Sequence, residues 1–106
     1  DQWKEFADRH ILQTMAELGY PPDSRGEPSL YFGIGHFTND WLSRDMVSAL
    51  LKDLTRRGLC RYRRGLFDDD GMPAGAGYGI TRAGWQEYKN MIIRHNELTK
   101  DKYHLP

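Results

Sequence analysis

The stretch Leu42–Leu59, L-S-R-D-M-V-S-A-L-L-K-D-L-T-R-R-G-L, leaves little choice of local structure. Its apolar residues Leu42, Met46, Val47, Leu50, Leu51 and Leu54 recur at steps of three and four, which gathers them on one face of an α-helix. Ser43 is a natural N-cap. Gly58 stands just past the last apolar position, where helices stop, and Arg56 and Arg57 before it suit the negative end of the helix dipole. The spacing predicts a helix over 44–57. Its opposite face carries Arg44, Asp45, Ser48, Lys52 and Thr55, charged or small groups that reach outward without bulk. Leu59–Phe67 then alternates in part and predicts a strand, followed by the turn-rich tract D-D-D-G-M-P-A-G-A-G. A second strand is expected at Tyr78–Ile80, and a further helix begins within T-R-A-G-W.

The pattern L-x-x-L-x-x-x-G-L, followed by a basic strand, a glycine-rich loop and Tyr78-Gly79-Ile80-Thr81-Arg82-Ala83-Gly84, resembles the winged helix-turn-helix of bacterial or phage regulators of the MarR and PadR type. The resemblance covers about Leu42–Tyr88. It implies an α+β fold, mainly helical: a winged helix-turn-helix with a two-stranded wing and a C-terminal helix. It also implies sequence-specific binding of double-stranded DNA and transcriptional regulation, with helix 44–57 in the major groove. Winged helices also serve as protein–protein interaction modules within larger assemblies, so fold resemblance alone leaves that second function open.

The charge distribution bears on this choice. The net charge is zero, with 15 Lys or Arg against 15 Asp or Glu, whereas nucleic-acid binders usually carry a basic balance. Yet residues 43–64 hold seven cations against two carboxylates, and residues 1–29 hold three against six. The basic surplus falls on the predicted helix and first strand. Ser43, Arg44, Ser48, Lys52, Arg56, Arg57, Arg61, Arg63 and Arg64 are therefore the candidate DNA-binding residues. Arg44, Ser48 and Lys52 would meet bases or nearby phosphates, while the five later arginines would grip the backbone. Alternation puts Arg61 and Arg63 on one strand face, where they would flank the groove, and Tyr62 on the other. Asp68, Asp69 and Asp70 in the loop would be repelled by phosphates. Either the wing tip points away from the duplex, or Arg63 and Arg64 neutralise it, or the wing takes no part in DNA binding.

The flanking segments are less decisive. Gln2–Leu18 predicts an amphipathic helix with Trp3, Phe6, Ala7, Ile11, Met15 and Leu18 on a broad apolar face. Gly19 ends it and Pro21–Pro22 prevents its resumption. Leu30–Phe37 favours a strand by composition, and Gly33 and Gly35 disfavour a helix. A short strand or irregular lead-in is expected from Tyr31, then a brief helix at about Thr38–Leu42 or starting somewhat earlier. Tyr31, Phe32, Phe37 and Trp41 are either a stacking platform or simply core. Thr81–Leu98 predicts a helix capped by Thr81, with Lys100–Pro106 as a frayed tail. In the families resembled, a helix in this place often forms a dimer seam. Trp85, Tyr88 and Ile92 are the candidates for a homodimer contact, or else they pack on the first helix.

At 106 residues the chain is expected to be a single domain, 1–106, and opening on Asp1 rather than methionine is what a fragment of a longer chain would show. No membrane span or leader is visible. One cysteine, Cys60, forbids an intrachain disulfide and suits a reducing, cytoplasmic setting. Cys60 is expected to be an inert core thiol. His10, His36, His95 and His104 lack metal-ligand spacing, and D-D-D-G lacks the distal glutamate of a calcium loop. No nucleophile elbow or phosphate-cradling lysine loop occurs. The chain is not expected to be an enzyme, nor to carry a metal or cofactor.

Overall fold

The structure is a computed structural model and describes residues 2–67 and 70–103. The elements run α1 (Gln2–Leu18), α2 (Arg44–Arg56), β1 (Cys60–Phe67), β2 (Pro73–Ile80) and α3 (Arg82–Tyr103), with one 3₁₀ turn at Ile34–His36 before α2. The chain is thus an α+β fold of three helices and one antiparallel hairpin. Among the described residues no helix is long and apolar enough to cross a membrane.

Helix α2 follows from its sequence almost residue for residue. The Ser43 hydroxyl accepts from the Met46 N–H at 3.3 Å, filling one of the donors a helix start leaves open. Gly58 takes φ +80, a left-handed conformation costly for any other residue, and the chain turns into β1. Val47, Leu50, Leu51 and Leu54 are buried, and α1 answers with Ala7, Ile11, Leu12 and Met15. Phe37, Leu42, Leu59, Cys60, Tyr78, Ile80 and Met91 complete one core. Met46, assigned to the apolar face, is instead 37% exposed at the first turn.

The expected brief helix at Thr38–Leu42 does not form. Asn39 and Leu42 exchange main-chain bonds at 3.1 and 3.3 Å, and the Asn39 side chain accepts from the Trp41 N–H at 3.0 Å. Asparagine satisfies the local backbone itself and so stabilises a turn over a helix. The helical piece that does form there is the 3₁₀ turn at Ile34–His36, upstream, within the earlier start that the expectation admits. The expected strand-like lead-in is reduced to one bridge, in which Phe32 exchanges two 2.8 Å bonds with Tyr78 on the far edge of β2.

Strand β2 is longer than its sequence predicts, because Pro73–Gly77 pairs rather than loops. Its glycines have a steric reason: a Cβ on Gly77 would stand 2.9 Å from the Phe32 carbonyl oxygen. The hairpin register pairs Tyr62 with Tyr78 and Arg63 with Gly77, then slips before Leu66, where Gly65 adopts φ +68 in a bulge. Thr81 joins three elements: its hydroxyl donates to the Gly58 carbonyl at 2.7 Å and accepts from the Gly84 N–H at 3.1 Å, capping α3. Helix α3 continues through Tyr103, so Lys100–Tyr103 is not a frayed tail, and 104–106 lie outside the described residues.

Candidate nucleic-acid interface

Three of the nine candidate residues stand in a row on the open side of α2. Arg44, Ser48 and Lys52 are spaced by four, so they share one stripe about 12 Å long at 1.5 Å per residue. Facing them across an open groove of about 470 Å³ are Tyr62 and Arg64 of β1 and Ala76 and Gly77 of β2. Ile34 closes one side. The small residues on β2 leave this wall low. Tyr62 is held by its ring, 4.9 Å from that of Tyr78 across the hairpin. Among the described residues no carboxylate lines the groove, and Arg44, Lys52 and Arg64 make no ion pair.

The other candidates are elsewhere. Ser43 is exposed, with its hydroxyl engaged as the helix cap. Arg57 reaches back to α1 and bridges Asp8 and Asp53, each at 3.1 Å. Lys4 binds the same two carboxylates at 3.1 and 2.8 Å, and Arg56 also pairs with Asp53. Hydrogen bonding to Lys4 above all, then to Arg56 and Arg57, holds the Asp53 carboxyl far below the usual carboxylate range. This cluster ties the end of α2 to α1. It removes Arg57 from the groove and leaves Arg56 exposed but paired.

Arg61 and Arg63 share one strand face, as alternation requires, but it is the face turned from α2. Arg61 pairs with Glu27 at 2.9 Å, and the Arg63 guanidinium lies 5.9 Å from the centre of the Tyr31 ring. Arg61 and Arg63, expected to flank the major groove from the wing, thus stand on the strand face turned from α2. Arg64, of Tyr62's parity, is the hairpin cation on the α2 side. Tyr62 had no assigned role from sequence, although strand parity together with Gly77 opposite its neighbour carried the signal. Asp70 is exposed at the hairpin tip, while Asp68 and Asp69 lie outside the described residues.

The aromatic cluster divides. Phe37 is core, Phe32 meets it edge-on at 6.4 Å, Tyr31 lies under Arg63, and Trp41 packs on Phe6 and His10 at 5.1 and 5.3 Å. They form no common platform. His10 sits at the core boundary, its Nε2 3.3 Å from the Phe37 carbonyl oxygen. Cys60 is buried with its thiol 3.7 Å from the Met15 sulfur, and burial pushes it up to about 12. Trp85 and Tyr88 are half-buried against this chain's own core, and Ile92 lies beside them on α3. Among the described residues no three His, Cys, Asp or Glu side chains are placed to share a metal ion; His104 lies outside them. Compared with protein families, with characterised proteins and with solved structures, the chain finds no match.

Proposed function

We propose that this chain is a winged-helix domain that binds double-stranded DNA sequence-specifically, with α2 in the major groove and the β1–β2 hairpin beside it as the wing. Transcriptional regulation in the cytoplasm is the role that fits such a domain. The observation that carries the reading is the groove itself: Arg44, Lys52 and Arg64 face one opening that no carboxylate lines among the described residues. A helix fits the B-DNA major groove, which is about 12 Å wide, and cations without partners are the ones that release counterions from phosphates. Zero net charge is compatible with this reading because the carboxylates of α1 and α2 neutralise Arg56 and Arg57 on another side. In place of a full first helix, the 3₁₀ turn and the buried Phe37 and Leu42 support α2 from behind.

Titration of a fluorescent 20-base-pair duplex across a salt series tests the reading. If each groove cation neutralises one phosphate, log K falls against log salt with a slope of about −2.7. Arg64→Ala should reduce the slope by about one, and Arg61→Ala should leave it unchanged. On a selected site, Arg44→Ala should cost about 1–3 kcal/mol beyond its cost on random duplex, if it reads a guanine edge. Micromolar protein at low salt that shows no salt-sensitive binding refutes the proposal. A homodimer through α3 belongs to the same proposal. With Trp85 and Tyr88 packed inward, Ile92 and the 54%-exposed Ile93 would carry its seam, and sedimentation as a 12.3 kDa monomer at micromolar concentration would exclude it.

A further inference from the structure

Strand β1 is the open edge of the hairpin. The far edge of β2 is covered by Phe32, whose N–H and carbonyl both bond to Tyr78 at 2.8 Å. Tyr78 therefore turns its main-chain groups away from β1, and Tyr62 opposite it belongs to a pair with no mutual hydrogen bonds. The N–H and C=O of Tyr62 point outward, and no hydrogen bond to them occurs among the described residues. Residues Arg61–Gly65 are all exposed, so nothing among the described residues covers this edge.

The side chains along the edge are cationic on both faces. Arg64 shares the α2 side with Arg44 and Lys52, three cations against no carboxylate among the described residues. On the other side a recess of about 480 Å³ holds Arg25, Arg61 and Arg63 against Asp23 and Glu27. Asp23 is already engaged by its own loop, accepting from the N–H groups of Arg25 and Glu27 at 2.9 and 3.0 Å and pairing with the Arg25 guanidinium at 3.7 Å. Glu27 pairs with Arg61, so Arg63 is the cation of this recess that pairs with no carboxylate among the described residues. An exposed edge with unpaired main-chain groups is a template for strand addition. The charges decide what can add. Two copies paired edge to edge about Tyr62 would set Arg61 of each opposite Arg63 of the other, and like charges directly opposite are destabilising. A second copy is thereby disfavoured and an acidic strand is favoured.

We propose that the outer edge of β1 binds an extended acidic peptide segment of a partner protein by strand addition, with Tyr62 supplying main-chain bonds and Arg63, with Arg61 beside it, selecting carboxylates. The site is separate from the duplex reading and stands without it. Glutamates at alternate positions of the peptide would lie along Arg61 and Arg63, and β-branched residues between them would lie along Tyr62.

The probe is an acetylated, amidated nine-residue peptide alternating glutamate with valine or threonine, titrated into the isotopically labelled intact chain. On saturation the Tyr62 amide proton should exchange with solvent at least ten-fold more slowly. The double variant R61E/R63E, altering only exposed side chains, should weaken binding at least ten-fold, and so should N-methylation of alternate peptide residues, which leaves the protein untouched. Arg44→Ala and Lys52→Ala should leave peptide affinity within two-fold, whatever they do to DNA. The proposal is overturned if the N-methylated peptide binds as well, if a lysine-for-glutamate peptide binds as well, or if the Tyr62 amide is unaffected. It is also overturned if single-stranded oligothymidine binds the same arginines more tightly than the peptide, since the edge would then be a nucleic-acid contact.

Discussion

Arg57 offers the sharpest discrimination between what spacing implies and what packing does. It sits at the end of α2 beside Arg56, where a phosphate grip is a natural assignment, yet its guanidinium bridges Asp8 and Asp53 at 3.1 Å each. The Asp8 side chain is only 5% exposed, and Oδ1 has no partner among the described residues, so its charge depends on Lys4 and Arg57 at Oδ2. Breaking a fully buried pair costs about 3–5 kcal/mol, and an exposed pair contributes about 0–1. Arg57 is itself 39% exposed, so water screens part of the loss and Lys4 remains. Arg57→Ala should therefore destabilise the chain by about 2 kcal/mol. With a urea m-value of about 1–1.5 kcal/mol/M for a chain this size, the midpoint should fall by about 1.3–2 M with m unchanged. Asp8→Ala combined with Arg57→Ala should cost less than the two separately, by at least about 1 kcal/mol, since each single variant leaves the other partner's charge uncompensated. DNA affinity and its salt slope should not move. A variant of unchanged urea midpoint whose slope drops by one would return Arg57 to the duplex and refute the assignment.

Gly84→Ala should destabilise by about 1–3 kcal/mol in thermal melts, because the added Cβ would overlap the Leu59 carbonyl oxygen. In an open helix the same change would stabilise by about 1 kcal/mol, so the sign alone is informative. Asp53 ionises far below its ordinary value in the folded chain, so its contribution is present above the unfolded carboxylate pKa of about 3.9 and is lost as pH falls further towards the folded value. Asp53→Asn should thus lower the urea midpoint at pH 7 and flatten the acid limb of the stability profile below about pH 4. Cys60 should react with a thiol reagent orders of magnitude faster in denaturant than in native protein, and Cys60→Val should change stability by less than about 1.5 kcal/mol.

Helices were legible where one local signal sufficed. α1 and α2 follow from apolar period, cap and stop, and their ends lie within a residue of expectation because Ser43, Gly58 and Gly19 act on their own neighbours. β2 was under-read because Pro73–Gly77 has no strand propensity; that segment pairs because β1 offers a ladder and because small residues admit Phe32 on the other edge. The Thr38–Leu42 error has the reverse cause. The resemblance to a helix-turn-helix calls for a helix where Asn39 satisfies its own turn. The length of α3 was missed because its final turns are polar, although Glu97, Leu98, Lys100 and Lys102 are good helix formers.

The candidate site was harder to read than the fold, because a cation is defined by what neutralises it. Strand parity correctly separated Arg61 and Arg63 from Tyr62, but parity cannot say which face meets α2; that depends on Cys60, Tyr78 and Ile80 entering the core. The partners that remove Arg57 and Arg61 are distant in sequence: Asp8 lies 49 positions before Arg57, and Glu27 belongs to the loop behind the sheet. A count of charges over 43–64 therefore overstates what one surface can present. Seven cations reduce to three that share the groove, Arg44, Lys52 and Arg64, and these are the three whose neighbours within the groove are neutral. The acidic N-terminal segment, which offsets the basic surplus in the net charge, supplies Asp8 to pin Arg57 at the end of α2 and Glu27 to pair with Arg61.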